Sequence, residues 1–399
     1  MKSGWKSKSL GELGSAARES AQILDDREYE LWSVPSFADD EPEVAIGKEI
    51  GSAKLRVRPN DVLICKINPR INRIWLVRKP MNGRDQIAST EWLVFRAKPD
   101  AGLLPTWLVH FVSAPKFREW IESEVSGATG SHTRAKTDGI LRQTMPLPPL
   151  PEQRRIVGIL DEAFAGIATA KANAEKNLQN SRALFESHLQ AVFTQRGEGW
   201  VETTIGQHIR FIDYRGKTPV KTQRGLRLIT AKNVKMGYVQ ETPMEFIAPE
   251  SYDAWMTRGI PKMGDVLFTT EAPLANVAQL DTAEKVAFAQ RVIIMQPDIS
   301  KLDSTFLKYL LLSSPVQKRI RAEGTGATVQ GIKASLLKLI KISFPAELSV
   351  QRRLVATLDT ITEETQRLES LYQRKLAALD ELKKSLLHRA FSGQLTTDD

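Results

Sequence analysis

Two segments of the chain, residues 152–194 and 349–392, lack internal proline and carry apolar side chains at steps of three and four. This spacing predicts two long helices, each with one apolar stripe. We expect the stripes to pair as a coiled coil; the alternative is two separate helices, each packed on its own domain. The residues predicted for the pairing are Ile156, Leu160, Phe164, Ile167, Leu184, Leu358, Ile361, Leu368, Leu379, Leu382 and Leu386.

Short apolar runs precede each long segment and are separated by proline, glycine and asparagine. Runs of this length and spacing predict β-strands joined by turns, and a helical stretch follows the strands in both cases. Each long helix is therefore predicted to follow a mixed α/β domain. The predicted strands are residues 61–66, 92–96, 265–269 and 291–296, and the predicted helices are residues 106–124 and 304–323.

The two halves of the chain repeat each other in order. Gly4-Trp5 recurs as Gly199-Trp200, the run from Asp61 recurs at Asp265, and Leu147-Pro148 recurs as Phe344-Pro345. A repeat this long predicts a duplicated unit of one α/β (α+β) domain followed by one long helix, and approximate twofold symmetry would make the helices antiparallel. The predicted segments are α/β domains at 1–150 and 198–347, helices at 151–197 and 348–394, and a tail at 395–399.

Composition adds charge to this picture. The 399 residues have a formal net charge of +9, which favours a polyanionic partner such as nucleic acid. A single cysteine, Cys65, excludes a disulfide framework and a cysteine-rich metal site. There is no apolar run of about 20 residues and no signal-peptide pattern, so we expect a cytoplasmic protein without a membrane partner.

The basic side chains concentrate at residues 48–84 and 210–235. Arginine and lysine suit phosphates, arginine and asparagine suit base edges, and the glycine-containing loops 127–136 and 324–333 could bring backbone N–H groups to phosphate. The alternatives are solvated surface side chains and ordinary turns. The candidate DNA contacts are Arg70, Asn72, Arg73, Ser131, His132, Arg134, Lys136, Arg215, Lys217, Lys221, Arg224, Lys232, Asn233, Asn276, Thr325, Thr328, Gln330 and Lys333.

A self-contained DNA-modifying enzyme is the competing hypothesis. An adenine methyltransferase needs an Asn/Asp-Pro-Pro-aromatic motif, whereas the nearest approach, Asn68-Pro69-Arg70-Ile71, lacks the second proline and the aromatic residue. A metal nuclease needs carboxylates clustered beside a lysine, a pattern that the sequence does not show. The five histidines also lack the spacing of metal ligands. We therefore expect no catalytic residue and no metal site. A two-domain DNA-binding scaffold without sequence specificity is the third hypothesis.

The ordered pattern resembles the specificity subunits of type I restriction-modification systems. The resemblance lies in the openings at Trp5 and Trp200, in the repeat order, and in two conspicuous segments. One segment, LPPLPEQRRIV from Leu147 to Val157, enters the first long helix, and the other, LKKSLLHRAFSGQL from Leu382 to Leu395, closes the second. The second boundary departs from the first because it lacks the proline and glutamate before Gln351.

The resemblance implies a non-catalytic subunit that reads a bipartite double-stranded DNA target, one half with each recognition domain. It implies two helices that set the spacer between the halves and dock two modification (methyltransferase) subunits. Two restriction subunits, which translocate and cleave DNA, would join the complex. It also implies that no cofactor binds this chain, because S-adenosylmethionine, ATP and magnesium would bind the partner subunits.

Overall fold

The computed structural model describes residues 4–123, 133–214, 218–326 and 329–396. The chain divides into two compact units. Unit 1 consists of the residues up to Glu175 together with those from Gln373 onward, and unit 2 is Lys176–Tyr372. Each unit therefore receives one half of each long helix.

Unit 1 combines short strands and helices. Its strands are β1 (Lys6–Ser9), β2 (Gly14–Ala17), β3 (Glu28–Trp32), β4 (Glu43–Ile46), β5 (Lys54–Arg56), β6 (Val62–Cys65), β7 (Ile74–Leu76), β8 (Asp85–Ser89), β9 (Trp92–Ala97) and β10 (Thr144–Leu147). Its helices are α1 (Leu10–Leu13), α2 (Pro105–Ser113), α3 (Pro115–Ser123), α4 (Thr137–Arg142) and the first half of α5 (Leu150–Thr194). Three short 3-10 helices are Ser36–Asp39, Gly47–Glu49 and Met81–Gly83.

Unit 2 repeats this series with few changes. Its strands are β11 (Trp200–Thr204), β12 (Ile209–Asp213), β13 (Leu226–Ile229), β14 (Phe246–Ile247), β15 (Val266–Thr269), β16 (Val277–Gln279), β17 (Val286–Phe288), β18 (Val292–Pro297) and β19 (Lys341–Pro345). Its helices are α6 (Ile205–His208), α7 (Tyr252–Trp255), α8 (Ser304–Leu312), α9 (Ser314–Ala322), α10 (Ala334–Leu339) and the first half of α11 (Leu348–Ser392). A 3-10 helix covers Pro249–Ser251.

The sheets of the two units have matching topology. Unit 1 has the orders β2-β9-β6-β7, β4-β3-β8-β5 and β1-β10, and unit 2 has β12-β18-β15-β16, β14-β13-β17 and β11-β19. In both, one sheet contains a parallel pair, β3 with β8 and β13 with β17, among antiparallel neighbours. The prediction of two duplicated mixed α/β domains with long helices is confirmed; its residue boundaries stay a prediction.

The two long helices pack together within each unit. In unit 1, Leu160 of α5 and Leu387 of α11 are buried in one core, and Lys171 forms an ion pair with Asp380 at 2.6 Å. Partner numbers therefore rise along α11 as they fall along α5, which is an antiparallel arrangement. In unit 2, Arg182 of α5 forms an ion pair with Glu369 of α11 at 2.7 Å.

Two residues predicted for the pairing stripe lie outside it. Leu184 is 54% exposed and Leu382 is 48% exposed. An α-helix turns by about 100° per residue, so two successive steps of three turn a position back by about 120°. Leu184 and Leu382 each follow two such steps, from Leu178 and Leu376, whereas half-buried Phe185 continues the stripe in α5.

The other predicted stripe residues take different degrees of burial. Ile156, Leu160 and Leu358 are fully buried, and Ile167 is 7% exposed. The remaining members are half-buried: Phe164, Ile361, Leu368, Leu379 and Leu386. Neither long helix, nor any other helix within the described ranges, combines the length and apolar character that a bilayer span requires.

A buried glutamine joins each long helix to the domain in front of it. Gln153 and Gln351 have no exposed surface. The Gln153 side-chain amide donates to the carbonyl oxygens of Gly102 and Pro148 at 2.7 and 2.8 Å, and its oxygen accepts from the N–H of Leu104 at 2.8 Å. Three backbone groups are thus satisfied by one side chain.

The glutamine of unit 2 makes the same three bonds. The Gln351 amide donates to the carbonyl oxygens of Lys301 and Pro345 at 2.8 and 2.7 Å, and its oxygen accepts from the N–H of Asp303 at 2.9 Å. The repeated Gln-Arg-Arg motif therefore marks a specific structural joint.

The first tryptophan of the repeat contacts the same joint. Trp5 Nε1 donates to the carboxylate of Glu152 at 3.0 Å, and the Trp5 side chain is buried in the unit 1 core. The residue before Gln351 is Val350, which offers no acceptor side chain to Trp200. The sequence difference between the two boundaries is therefore a difference in how the domain opening is tied to its long helix.

A second tether runs from the first core helix of each domain to a long helix. His110 Nε2 lies 2.8 Å from Asp161 Oδ1, and the Tyr309 hydroxyl donates to Asp359 at 2.5 Å. Burial lowers the pKa of His110, although the bond to Asp161 acts in the opposite direction. Burial and the Asp359 carboxylate raise the pKa of Tyr309. At neutral pH each tether therefore joins an uncharged ring group to an aspartate side chain.

Candidate nucleic-acid interface

Three segments of unit 2 meet at the end of β15. The N–H of Thr270 donates to the carbonyl of Arg291, which lies in the turn before β18, at 3.0 Å. The N–H of Ile332 donates to the Thr270 carbonyl at 2.9 Å, and Glu271 forms an isolated antiparallel bridge with Gly331. This backbone pairing brings the loop before α10 beside the turn between β17 and β18.

The junction borders a groove of about 370 Å³. The groove is lined by Thr270, Glu271, Gln290, Arg291, Thr325, Val329, Gly331, Ile332 and Lys333. A neighbouring groove of about 160 Å³ shares Gln290 and Arg291 and is also lined by Thr218, Lys221, Thr230, Ala231, Lys232, Glu245, Ala272 and Ala289. Four predicted DNA contacts, Lys221, Lys232, Thr325 and Lys333, thus line these two adjoining grooves.

Two ion pairs set the electrostatics of this surface. Arg291 Nε lies 2.8 Å from Glu271 Oε1, and Lys221 Nζ lies 2.8 Å from Glu245 Oε2. The Arg291 and Glu271 side chains are 46% and 42% exposed, so the pair is open to solvent and to a ligand. With Lys232 and Lys333 exposed nearby, the cations outnumber the acids, which suits a phosphate backbone.

The equivalent edge of unit 1 has the same backbone pattern. The N–H of Lys66 donates to the carbonyl of Glu91 at 3.0 Å, the N–H of Ala135 donates to the Lys66 carbonyl at 3.0 Å, and Ile67 bridges Arg134. The Arg134 guanidinium forms an ion pair with Glu91. Burial lowers the pKa of the half-buried Lys66, as do Arg134 and Arg18, while Glu91 opposes them.

Asn233 is a correction to the predicted contacts. Its side chain is 1% exposed, and its amide donates to the carbonyl oxygens of Gln240 and Pro243 at 3.0 Å. Its oxygen accepts from both the N–H and the hydroxyl of Thr230 at 3.0 Å. An asparagine in this position folds its own loop and does not present an amide to a base. Sequence alone cannot separate the two uses, because both need the same amide.

Two further predicted residues also hold backbone or neighbouring side chains. Asn276 Nδ2 donates to the carbonyl of Val234 at 2.9 Å, and Arg73 Nη1 lies 3.8 Å from the sulfur of Cys65. Both side chains are half-buried. The exposed predicted residues outside the two grooves of unit 2 are Arg70, Asn72, Arg134, Lys136, Arg224 and Gln330.

Five predicted contacts, Ser131, His132, Arg215, Lys217 and Thr328, lie outside the described residues. The predicted contacts do not include Glu91, Glu271 or Arg291, which the fold places at these two edges. Alignment of the two halves at the turns before β9 and β18 places Glu91 and Arg291 at equivalent positions and draws attention to both. In the part of the chain that the structure describes, no group of three or more His, Cys, Asp or Glu side chains could hold a metal ion.

Comparison with known proteins identifies the relatives of this chain. Residues 257–376 match the family described as type I restriction modification DNA specificity domain. The chain is 24% identical to the EcoBI specificity subunit of Escherichia coli over 311 residues, 71% of this chain and 64% of that protein. The resemblance to type I specificity subunits is confirmed. The matched segment covers the later part of unit 2 and about the first two thirds of α11.

Further relatives extend the resemblance along the chain. The MjaVIII specificity subunit of Methanocaldococcus jannaschii is 22% identical over 371 residues, 87% of this chain and 82% of that protein. Against the EcoBI subunit, the match spans just under two thirds of the relative's length.

Two solved structures share the fold. One chain, from work on complex assembly and conformational transition of the type I R-M system, has a TM-score of 0.78 and 22% identity, with 99% of each chain covered. The HsdS subunit from Thermoanaerobacter tengcongensis has a TM-score of 0.60 and 21% identity, with 99% of this chain and 98% of that chain covered. At these identities the likeness shows that the fold is shared.

Proposed function

We propose that this chain is the DNA sequence-specificity subunit of a type I restriction-modification complex and reads a bipartite target, one half with each unit. The observation that carries the proposal is one scaffold used twice with different side chains at the same edge. The sheet orders agree, whereas the charged pair is Glu91 with Arg134 in unit 1 and Glu271 with Arg291 in unit 2. Two units of one fold that present different groups suit two different half-sites.

Within each unit, the exposed cations account for affinity and the loop ends account for specificity. Lysines such as Lys221, Lys232 and Lys333 are suited to phosphate oxygens, which position a protein on DNA without reading its sequence. Arginine and amide groups at the edge are suited to base edges in the major groove. The long helices would set the spacer between the two half-sites.

Catalysis is assigned to partner subunits. Two modification subunits would dock on the long helices and use S-adenosylmethionine, and two restriction subunits would join through them and use ATP and magnesium. Exposed apolar residues support docking on the helices, since Ile159 and Leu184 of α5 and Leu371 and Leu382 of α11 are 38% to 54% exposed. Such side chains are commonly covered in a complex.

The test is sequencing of adenine methylation in cells that express this chain with its neighbouring modification subunit. We expect a bipartite methylated motif that disappears when this chain is omitted. Methylation that persists unchanged without the chain would contradict the proposal and favour a two-domain DNA-binding scaffold. Methylation by this chain alone, without the modification subunit, would favour the self-contained enzyme.

A further inference from the structure

Three backbone positions come together in each unit at the edge described above, beside the end of β6 or β15. The first follows β6 or β15 and is Ile67 or Glu271; the second is in the turn before β9 or β18 and is Glu91 or Arg291. The third, Arg134 or Gly331, bridges the first position. Equivalent backbone contacts thus hold Ile, Glu and Arg in unit 1 and Glu, Arg and Gly in unit 2.

Each unit nevertheless builds one arginine–carboxylate pair from these three positions. In unit 1 the carboxylate is in the turn and the arginine is at the third position. In unit 2 the arginine is in the turn and the carboxylate is at the first position. The ion pair occupies different positions in the two units, although the scaffold is the same. Folding of the shared scaffold therefore does not require the ion pair at any one position.

The folding energy of such a pair is small. Both pairs are solvent-exposed, with the Arg134 side chain 60% and the Arg291 side chain 46% exposed, and surface ion pairs add little to stability. The same chemistry at the same edge in both units therefore points to a ligand that both units meet. Since the units are proposed to read two DNA half-sites, that ligand is a feature of the DNA present in each half.

The geometry of unit 2 indicates which feature. Arg291 has a φ of 75°, and its carbonyl accepts the N–H of Thr270, so the Arg291 backbone is held against the end of β15. The ion pair with Glu271 engages Nε, and a guanidinium has five N–H donors, so the two Nη groups can address a second, bidentate partner. Guanine offers its O6 and N7 acceptors to such a fork in the major groove.

We propose that Arg291 and Arg134 each read a guanine, one in each half of the target, and that Glu271 and Glu91 are positioning residues that orient the guanidinium. This inference rests on the proposed function and adds to it a base and the residues that recognise it. A phosphate contact would need only a positive charge, whereas a guanine contact needs the planar fork of arginine.

The experiment compares variants of the full chain in complex with its modification subunit. The variants are Arg291→Lys, Arg291→Ala and Glu271→Gln in unit 2 and Arg134→Lys in unit 1, with Lys341→Ala and Arg27→Ala as matched controls. Each control removes one cation from a surface ion pair elsewhere in the same unit, Lys341 with Glu202 and Arg27 with Asp85. The methylated motif is sequenced for every variant.

We expect Arg291→Lys and Arg291→Ala to lose preference for one guanine in one half of the motif on the order of 10- to 100-fold. Arg134→Lys should reduce the preference for one guanine in the other half of the motif. Glu271→Gln should reduce the preference for the same guanine as Arg291→Ala. Both controls should keep the wild-type motif. A second measurement uses duplexes in which 7-deazaguanine, which lacks the N7 acceptor, replaces each guanine in turn.

The wild-type complex should bind one 7-deazaguanine duplex more weakly for each half, and Arg291→Ala should abolish that penalty in its own half only. A wild-type motif that persists in Arg291→Ala and Arg134→Lys, or a half-site without guanine, would overturn the inference and leave the proposed function intact. Absence of any bipartite motif with the wild-type chain would overturn the proposed function itself, and the inference with it.

Discussion

Gln153 and Gln351 each satisfy three backbone groups at the place where a domain ends and a long helix begins. A glutamine suits this place because its side chain combines one carbonyl acceptor with two amide hydrogens on a flexible arm. Both side chains are fully buried, so water cannot replace the bonds. This requirement explains why glutamine recurs at the boundary although the residues before it differ.

Replacement of Gln351 by alanine is expected to destabilise the protein. The change leaves the carbonyl oxygens of Lys301 and Pro345 and the N–H of Asp303 unpaired in the interior, at a cost of about 2–4 kcal/mol in the free energy of unfolding. Urea unfolding of the full chain measures it. The exposed neighbour Arg352→Ala is the control, and an equal loss in both variants would contradict this role of the glutamine.

At the scale of elements, the long helices have one buried stripe and one exposed apolar edge. The buried stripe joins α5 and α11 within each unit, and the exposed edge includes Leu184 and Leu382. The apolar periodicity alone assigned these two leucines to the pairing stripe. The direction of a side chain on a helix depends on the accumulated rotation of about 100° per residue. A residue that follows two successive steps of three is therefore rotated away from the stripe and faces solvent.

The substitutions Leu184→Lys and Leu382→Lys are each expected to weaken binding of the neighbouring modification subunit without unfolding this chain. Covering a half-exposed leucine contributes about 1 kcal/mol, so affinity should fall about fivefold or more for each variant. Co-purification and titration with the modification subunit measure the change. Gln179→Lys is the control, since it lies about 140° around α5 from Leu184. Undiminished capture by both leucine variants would place the docking surface elsewhere.

At the scale of the whole molecule, duplication separates the scaffold from the surface that it presents. Equivalent strands, glutamine joints and ring-to-aspartate tethers recur in both units. The charged edge differs between them, and so does the acidic segment near Asp40 in unit 1 compared with the basic run around Lys221 in unit 2. Such a chain can change the charged edge of one unit while that of the other stays intact.

Exchange of residues 1–150 for the corresponding domain of another specificity subunit is expected to change only one half of the methylated motif. The reason is that unit 2 keeps its own core and its own charged groove. Sequencing of methylation in cells that express the chimera and the modification subunit measures the result. A motif altered in both halves would contradict the assignment of one half-site to each unit.

The sequence by itself determined the duplicated α/β plan, the two long helices and the basic character, because periodicity, turn residues and net charge are local or additive properties. It also located Lys221, Lys232, Thr325 and Lys333 as candidates, which the fold gathers along one surface. Only the tertiary structure decided which polar residues face outward. The Asn233 side chain is hydrogen-bonded within its own loop. Arg291 and Glu271, which are distant in sequence from Lys221, form an ion pair at one groove. Hydrogen-bond partners and neighbours across strands depend on the folded backbone, and the type of a single residue does not determine them.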